Sequence, residues 1–231
     1  MPSGSDIPVR ANLSSGRGLR RDAQLNRVRI LDAAGAAFAE RGLGASVEEI
    51  ASRAGVGVGT LYRRFPNKAA LVDAIFEDRL DELARAADEA LETAAPEGLY
   101  RFLERAVELQ AENRGFCEIV AVRLRGESLL TRARARLRPL VDRLIERSQE
   151  AGEVRGDVLY EDISLLLWTT GRVVDATREV APDFWRRQLA LAFDGLRACN
   201  AGPLPCPPLT AGQHDQAMEH LARQLHLSSL D

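Results

Sequence analysis

The feature that most constrains the fold is a pair of short helical patterns separated by a few glycine-rich residues. The first pattern, "SVEEIASRAG", places apolar residues on one helical face and begins with Ser46 three residues before Glu49, the spacing of a capping box. Gly55 stands where a left-handed residue would end this helix, and the next helix can begin two or three residues later, at Val58. Two helices joined by so short a turn cross steeply, so the sequence predicts a helix-turn-helix.

Glycines at the start of the second helix indicate a surface built for close approach. A glycine inside a helix costs about 1 kcal/mol relative to alanine. Gly57 occupies the N-cap, where glycine is tolerated, but Gly59 lies inside the first turn. In a helix-turn-helix this end enters the major groove, so Gly59 would let the backbone come close to DNA. Val58 and Thr60 are compact enough to meet a base edge, and Arg63 can reach phosphate or guanine.

Composition narrows the fold class and the compartment. The chain has 231 residues, 45% of them apolar and 28% charged, and it lacks runs of alternating β-branched residues, so we expect an all-α fold. It has neither a signal-peptide core nor a stretch of 18 uncharged apolar residues. Its three cysteines have unrelated spacings, which fits reduced thiols. We therefore expect a cytoplasmic protein that does not span a membrane.

The sequence lacks the patterns of common catalytic sites. It has no phosphate-binding loop, zinc-protease motif or nucleophile elbow, and no histidine precedes His214. His214, His220 and His226 are spaced six residues apart, a step that turns about 240° on a helix, so they cannot share one face. We therefore expect no enzymatic activity, no cofactor and no metal site.

Charge is unevenly distributed along the chain. Residues 1–70 carry 11 basic and 6 acidic residues, whereas the other 161 residues carry 20 basic and 28 acidic ones. This asymmetry indicates an anionic partner for the N-terminal part only. Residues 1–21 are rich in Ser, Gly and Arg and are predicted to form a disordered basic tail. Minor-groove or phosphate contacts and simple solubilisation are equally compatible with this tail.

Helical periodicity divides the remaining chain into a head, a body and an extension. The head, residues 22–68, contains a first helix over 22–41 followed by the helix-turn-helix. The body, residues 69–199, begins with a long helix over 69–94. Turn and cap signals predict further body helices at 97–113, 115–125, 128–151, 160–180 and 182–199. A proline-rich linker and a short amphipathic helix are expected in the extension, residues 200–231.

The run from Arg29 to Leu80 resembles the DNA-binding head of the Tet repressor family of transcription factors almost position by position. The matching elements are "ILDAA...F...G", "SVEEIAxxAGV" and "GTLYRRFPNKxxL". The resemblance implies that residues of the second, third and fourth helices contact DNA. These residues are Ser46, Arg53, Gly59, Thr60, Tyr62, Arg63 and Lys68. Val58, predicted above from its compact side chain, completes the set of predicted DNA-binding residues. Gly57 departs from the polar N-cap common in the family, so one hydroxyl contact to phosphate is missing.

The position of Lys68 at the start of a helix independently favours a contact with DNA phosphate. Asn67 is a good N-cap, and a lysine in the following turn opposes the helix dipole unless an anion arrives there. A phosphate would be such an anion. The alternative is a solvated surface lysine.

The resemblance further implies a body that dimerises and binds a small effector. Residues 126–199 are similar to the SbtR-like C-terminal domain type of this family. We expect a homodimer through the helices at 160–180 and 182–199, whose wide apolar faces exceed what one chain can bury. These faces comprise Ile163, Leu166, Leu167, Val174, Phe184, Leu189, Leu191, Phe193 and Leu196. The alternative is that both helices belong to the core of a monomer.

Candidate effector contacts are side chains on body faces that are expected to converge. They are Phe102, Phe116, Cys117, Val120, Arg123, Leu144, Trp168 and Arg172. Aromatic residues at helical spacing belong to a core more often than to a ligand site. An arginine on an apolar face needs a partner, either a carboxylate ligand or an internal Asp or Glu.

These features predict a ligand-responsive transcriptional regulator. In this interpretation the homodimer binds a palindromic double-stranded DNA operator and acts as a repressor that an unidentified small-molecule effector releases. Repression is favoured, and activation is the alternative that the sequence leaves open. The alternative function is a helical sensor or scaffold that acts through protein partners without binding DNA. The cationic side chains of Arg63 and Lys68 beside the glycine-containing helix favour the DNA-binding regulator over this alternative.

Overall fold

The computed structural model describes residues 15–41, 44–94, 97–112, 127–200 and 202–228. Within these ranges the regular secondary structure is α-helical, apart from 3-10 geometry at Gly44 and Ala198–Asn200 and a single antiparallel bridge between Val154 and Arg197. The α-helices are α1 (Ser15–Arg41), α2 (Val47–Ala54), α3 (Val58–Arg64), α4 (Lys68–Leu91), α5 (Glu97–Glu112), α6 (Glu127–Glu150), α7 (Tyr160–Thr177), α8 (Phe184–Gly195) and α9 (Ala211–Ser228). The predicted all-α fold is confirmed.

The first helix is longer than the sequence analysis predicted. It begins at Ser15 rather than at residue 22, so residues 15–21, which we expected to be disordered, are helical. Polar composition led to the wrong boundary because a segment that extends an existing helix avoids the cost of nucleating a new one. The rest of the predicted tail, residues 1–14, lies outside the described residues, as does the helix expected at 115–125.

The helix-turn-helix forms as its local signals predicted. The Oγ of Ser46 accepts a hydrogen bond from the backbone N–H of Glu49 at 3.1 Å, and Gly55 ends α2 in the left-handed conformation with φ 65°. Only this half of the expected capping box is used, because the Glu49 carboxylate turns to Arg41 and Arg53 instead. Ile50 and Leu61 then join α2 and α3 to one core.

That first core lies between α1, α2, α3 and the beginning of α4. Its largest fully buried side chains are Ile30, Phe38, Ile50, Leu61 and Leu71. The residues come from four short or polar helices, none of which could bury its apolar face alone. Leu61 and Phe65 belong to this core, which holds α3 from one side.

Helix α4 connects the head to the body. Asn67 caps it by accepting a hydrogen bond from the N–H of Ala70 at 2.8 Å, as predicted. Its first turns bury Leu71 and Ile75 in the head core, and its last turns bury Ala87 and Ala90 in the body core. One continuous helix therefore belongs to both cores.

The body packs α5 against α4, α7 and α8, and packs α6 against α4. Its core contains Leu99, Phe102, Leu103, Leu144 and Trp185. Residues 151–159 connect α6 to α7, where the N–H of Arg155 donates to Leu196 beyond α8. This backbone contact ties the end of α8 to the α6–α7 connection.

The apolar faces assigned to a dimer interface divide between two roles. Four of those residues, Ile163, Val174, Leu189 and Phe193, are buried in the core of the chain itself. Our assignment of these four to the interface was therefore wrong, because their side of α7 and α8 packs against α5. Leu166, Leu167 and Leu196 are partly buried, whereas Phe184 and Leu191 stay exposed.

The C-terminal extension is a linker followed by a helix that docks on the body. Residues 202–208 are exposed, and the carbonyl of Gly202 accepts a hydrogen bond from buried Arg155 at 2.7 Å. On α9, His214 and Met218 are buried, and the His214 ring meets Tyr160 edge-on with centroids 6.1 Å apart. In the part of the chain that the structure describes, no cluster of metal-ligating side chains occurs, and no helix is long and apolar enough to cross a membrane.

Candidate nucleic-acid interface

Helix α3 is anchored by two apolar residues and presents the rest of its surface outward. Leu61 is buried within the head core, and Phe65, the residue that ends α3, is buried beside it. Gly57 is the N-cap and makes no side-chain hydrogen bond, while its carbonyl accepts from the N–H of Thr60 at 2.8 Å. A seven-residue helix held from one side leaves its opposite face free to meet a partner.

The exposed face of α3 combines apolar, aromatic and cationic groups. Val58 and Tyr62 are 36% and 42% exposed. Arg63 and Arg64 are exposed, and neither forms an ion pair with another described residue. Thr60 is half-buried at the edge of this face. The predicted residues of α3 therefore lie together on one surface.

Gly59 is not required by the packing of the free protein. It has an ordinary helical conformation, and a Cβ atom added to it would meet no atom within 4 Å. An alanine would fit there and would favour the helix. The glycine therefore keeps an exposed strip of α3 backbone bare, which suits contact with an external surface.

Arg53 forms ion pairs with two acidic residues of the head. Its guanidinium donates to Glu40 Oε1 of α1 and to Glu49 Oε1 of α2, each at 2.8 Å. The hydrogen bond and charge of Arg53 lower the pKa of the Glu40 carboxyl. A DNA contact by Arg53, which the resemblance implies, would compete with these two carboxylates.

Ser46 retains hydrogen-bonding capacity although it caps α2. The hydroxyl oxygen accepts from Glu49, but its own proton can be donated elsewhere. Ser46 is exposed at the start of α2. It can therefore cap the helix and donate to an external acceptor at the same time.

Lys68 points back into the head. Its Nζ donates to the carbonyl oxygen of Ala45 at 2.7 Å and lies 5.6 Å from the centre of the Phe38 ring. Removal from water lowers the pKa of its ammonium group. Of the eight predicted DNA-binding residues, Lys68 and Arg53 are thus the two whose charges are already engaged.

The predicted effector residues do not form one described pocket. Phe102 and Leu144 fill the body core, Trp168 is half-buried, and Arg172 is exposed and pairs with Asp175 at 3.1 Å. Asp175 is the internal acid that our second alternative for Arg172 required. The remaining candidates, Phe116, Cys117, Val120 and Arg123, lie outside the described residues. Binding of an effector by this set stays a prediction.

A groove that the sequence analysis missed lies between α5 and α8. It encloses about 350 Å³ and is lined by Glu97, Tyr100, Ala190, Phe193, Asp194 and Arg197. Tyr100 and Phe193 meet edge-to-face in its wall, with ring centroids 5.0 Å apart. No sequence signal joins these two rings, because they come together only when α5 packs on α8.

The two capped helices and the exposed cationic face of the second define a helix-turn-helix protein with a separate helical body. A family model described as "Bacterial regulatory proteins, tetR family" matches residues 30–75. A second, "Transcriptional regulator SbtR-like, C-terminal domain", matches residues 94–198. The chain belongs to the TetR family of bacterial regulatory proteins.

Solved structures agree with this assignment over nearly their whole length. The TetR transcriptional regulator SCO0520 from Streptomyces coelicolor is 31% identical, with a TM-score of 0.60 over 74% of this chain and 98% of that one. The TetR transcription regulatory protein from Mycobacterium vanbaalenii is 34% identical, with a TM-score of 0.57 over 78% of this chain and 99% of that one.

Among curated proteins the similarity is shorter. The HTH-type transcriptional repressor KstR2 from Rhodococcus jostii is 47% identical over 58 residues, which are 25% of this chain and 28% of that protein. The chain spans less than half the length of the curated relatives that it matches. Both matched relatives carry HTH-type regulator names, as the helix-turn-helix described above would lead one to expect.

Proposed function

We propose that this protein is a homodimeric transcriptional repressor that binds a palindromic operator through α3 and leaves it when a small effector binds the body. The observation that carries the proposal is the exposed face of α3, where bare backbone at Gly59 adjoins Tyr62 and Arg63. An exposed cationic helix with a backbone open to close approach suits the major groove.

Each residue of this face has a distinct task in the proposal. Val58 and Thr60 meet base edges or a thymine methyl group, because both are compact. Arg63 contacts phosphate or guanine, and the Tyr62 hydroxyl donates to the DNA backbone. Ser46 adds a hydroxyl donor from α2. The Arg53 and Lys68 contacts implied by the resemblance would each require an internal interaction to be given up.

The dimer is proposed to form through the exposed side of α8, together with α7. Phe184 and Leu191 are seven residues apart, so they lie on one face of α8, opposite the side that buries Trp185 and Leu189. A two-fold axis through this face would place two α3 helices on one DNA duplex. A symmetric dimer reads a palindrome whose half-sites lie about one helical turn, ~34 Å, apart.

Effector release is proposed to act through α4. Because α4 contributes Leu71 to the head core and Ala90 to the body core, a ligand that shifts its body end also shifts the head. A changed separation of the two α3 helices no longer matches the half-sites, so operator affinity falls.

Selection of bound fragments from a random duplex pool tests the proposal. Wild-type protein should enrich a palindrome, and Tyr62→Ala should abolish the enrichment. On the selected duplex, Arg63→Ala should reduce the slope of log affinity against log salt by about 0.9 for each phosphate that the protein no longer neutralises. Arg143→Ala is the matched control, since Arg143 is an exposed arginine on α6, remote in sequence from α3.

The opposite result would leave the family assignment intact but remove the DNA role. If no motif emerges, and wild type, Tyr62→Ala and Arg143→Ala bind duplex DNA equally weakly, the proposal is wrong. The helical body would then have to act through protein partners.

A further inference from the structure

Lys68 occupies the junction between the helix-turn-helix and the body. It is the first residue of α4 and follows α3 after only three residues. Its side chain reaches Ala45 in the connection between α1 and α2, 23 residues earlier in the chain. The ammonium group therefore joins two segments that are distant in sequence.

The acceptor of this hydrogen bond, the carbonyl oxygen of Ala45, has few other donors within reach. Ala45 is 1% exposed and precedes the N-cap of α2, so its carbonyl lies outside the hydrogen-bond pattern of that helix. A buried carbonyl without a donor is costly. The Lys68 ammonium satisfies this carbonyl at 2.7 Å, and its position 5.6 Å from the Phe38 ring centre adds a favourable cation–π contact.

The position of the Ala45 carbonyl determines where α2 begins. The next residue, Ser46, caps α2 through its bond to Glu49. Helix α2 then leads through the left-handed Gly55 into α3. A bond that fixes Ala45 therefore fixes the base on which α3 is oriented, while Asn67 holds the start of α4 on the other side.

We infer that Lys68 is a positioning residue, which clamps the start of α4 to the α1–α2 connection and so orients α3. The inference rests on the proposed DNA-binding function. The ammonium has three donors and the bond to Ala45 uses one of them, so the clamp is present before DNA binds and can persist in the complex. In its present place the same charge supports the surface that Arg63 and Tyr62 form.

Lys68→Met tests the clamp, because methionine keeps an aliphatic side chain of similar length but removes the charge and the donor. Operator affinity should fall about tenfold, as expected for loss of a charged hydrogen bond that orients the interface. Amide hydrogen exchange in the DNA-free protein should accelerate at Glu49 and Ile50, the first turn of α2. Arg63→Met is the matched control. It should reduce the salt slope and leave exchange at α2 unchanged.

Two results would overturn the inference. Unchanged operator affinity in Lys68→Met would show that the ammonium does not orient α3. Unchanged exchange at Glu49 and Ile50 would show that the bond to Ala45 does not hold α2. Hydrogen exchange is measured without DNA, so it tests the clamp even if wild-type protein selects no operator. Failure to select an operator would contradict the proposed function but not the clamp.

Discussion

Gly55 and Gly59 are four residues apart in the helix-turn-helix but serve different purposes. Gly55 has φ 65°, a conformation that costs other residues about 1–2 kcal/mol. Gly59 has no such requirement, and the space around it is open. The folded chain therefore accounts for Gly55 but not for Gly59, which the proposed DNA contact would explain.

Gly59→Ala should make the free protein more stable and the complex weaker. We expect the free energy of unfolding to rise by about 0.5–1 kcal/mol, because alanine restricts the unfolded chain and favours the helix. The added methyl group should hold α3 away from the groove and lower operator affinity. Denaturant unfolding and fluorescence anisotropy on the selected duplex measure the two effects.

Gly55→Ala is the matched control for this experiment. It should lower the free energy of unfolding by about 1–2 kcal/mol, since the left-handed backbone becomes strained. If Gly59→Ala bound the operator as tightly as wild type does, close approach at α3 would not be the reason for the glycine.

Single residues were predictable from the sequence where their role depends on near neighbours. The caps Ser46, Gly55 and Asn67 each act within a few residues, and all three are confirmed. The partner of Arg53 was missed, because Glu40 lies 13 residues away and meets it only after α1 packs on α2. The acceptor of Lys68 was missed for the same reason.

At the scale of elements, the ion pair between α1 and α2 gives the head a pH dependence. The pKa of Glu40 is lowered in the folded protein from its ordinary value of 4.5, chiefly by its hydrogen bond to Arg53. A carboxyl whose folded pKa is depressed stabilises the protein above the unfolded pKa. This contribution is lost as pH falls below 4.5 through the lower folded value.

Glu40→Gln should therefore be less stable than wild type at pH 7, and the difference should shrink as pH falls below 4.5 and the wild-type carboxyl is protonated. Thermal unfolding of both proteins across this range measures the convergence. Glu48→Gln is the control, because Glu48 is an exposed acid on α2 that forms no ion pair with another described residue. If the unfolding temperatures of wild type and Glu40→Gln changed in parallel with pH, the assigned coupling between Glu40 protonation and stability would be wrong.

The contact between α4 and α5 depends on a close backbone approach. A Cβ atom on Gly98 would overlap the carbonyl oxygen of Ala90, so the two helices could not keep their present separation. Gly98→Ala should lower the free energy of unfolding by about 1–3 kcal/mol, the usual cost of overpacking. Gly212→Ala, where a Cβ meets nothing within 4 Å, is the control. Equal stability of the two variants in denaturant would show that α5 shifts freely on α4.

The positions of the helices were predictable from the sequence, but their packing partners were not. Periodicity and turn residues located every described helix, with the largest error at the start of α1. Periodicity shows that a helix has an apolar face but not what covers it. Ile163 and Leu189 were therefore assigned to a dimer interface although α5 covers that side of the chain.

At the scale of the whole molecule, the family could be recognised from the head alone, whereas the effector site could not. The head motifs are short and local, and the family match over residues 30–75 bears them out. A ligand site in the body needs the crossing geometry of several helices. Phe102 and Leu144 therefore prove to be core residues, and the groove beside Tyr100 went unpredicted.

The proposed dimer makes a prediction that separates assembly from folding. Leu191 is 55% exposed and lies outside the body core, so Leu191→Glu should leave the helical circular dichroism spectrum unchanged. In a two-fold interface, however, the variant would bury two carboxylates near each other. We expect the dimer dissociation constant to rise by about 100-fold and operator binding to be lost at concentrations where wild type is dimeric.

Sedimentation measures the dissociation constant, and Leu204→Glu is the matched control, since Leu204 is similarly exposed but lies in the linker. A folded Leu191→Glu monomer that fails to bind the palindrome would support the interface on α8. A variant that sediments as wild type does would place the two-fold axis elsewhere. In the proposed dimer two heads bind one operator together, so the loss of binding should follow the monomer fraction.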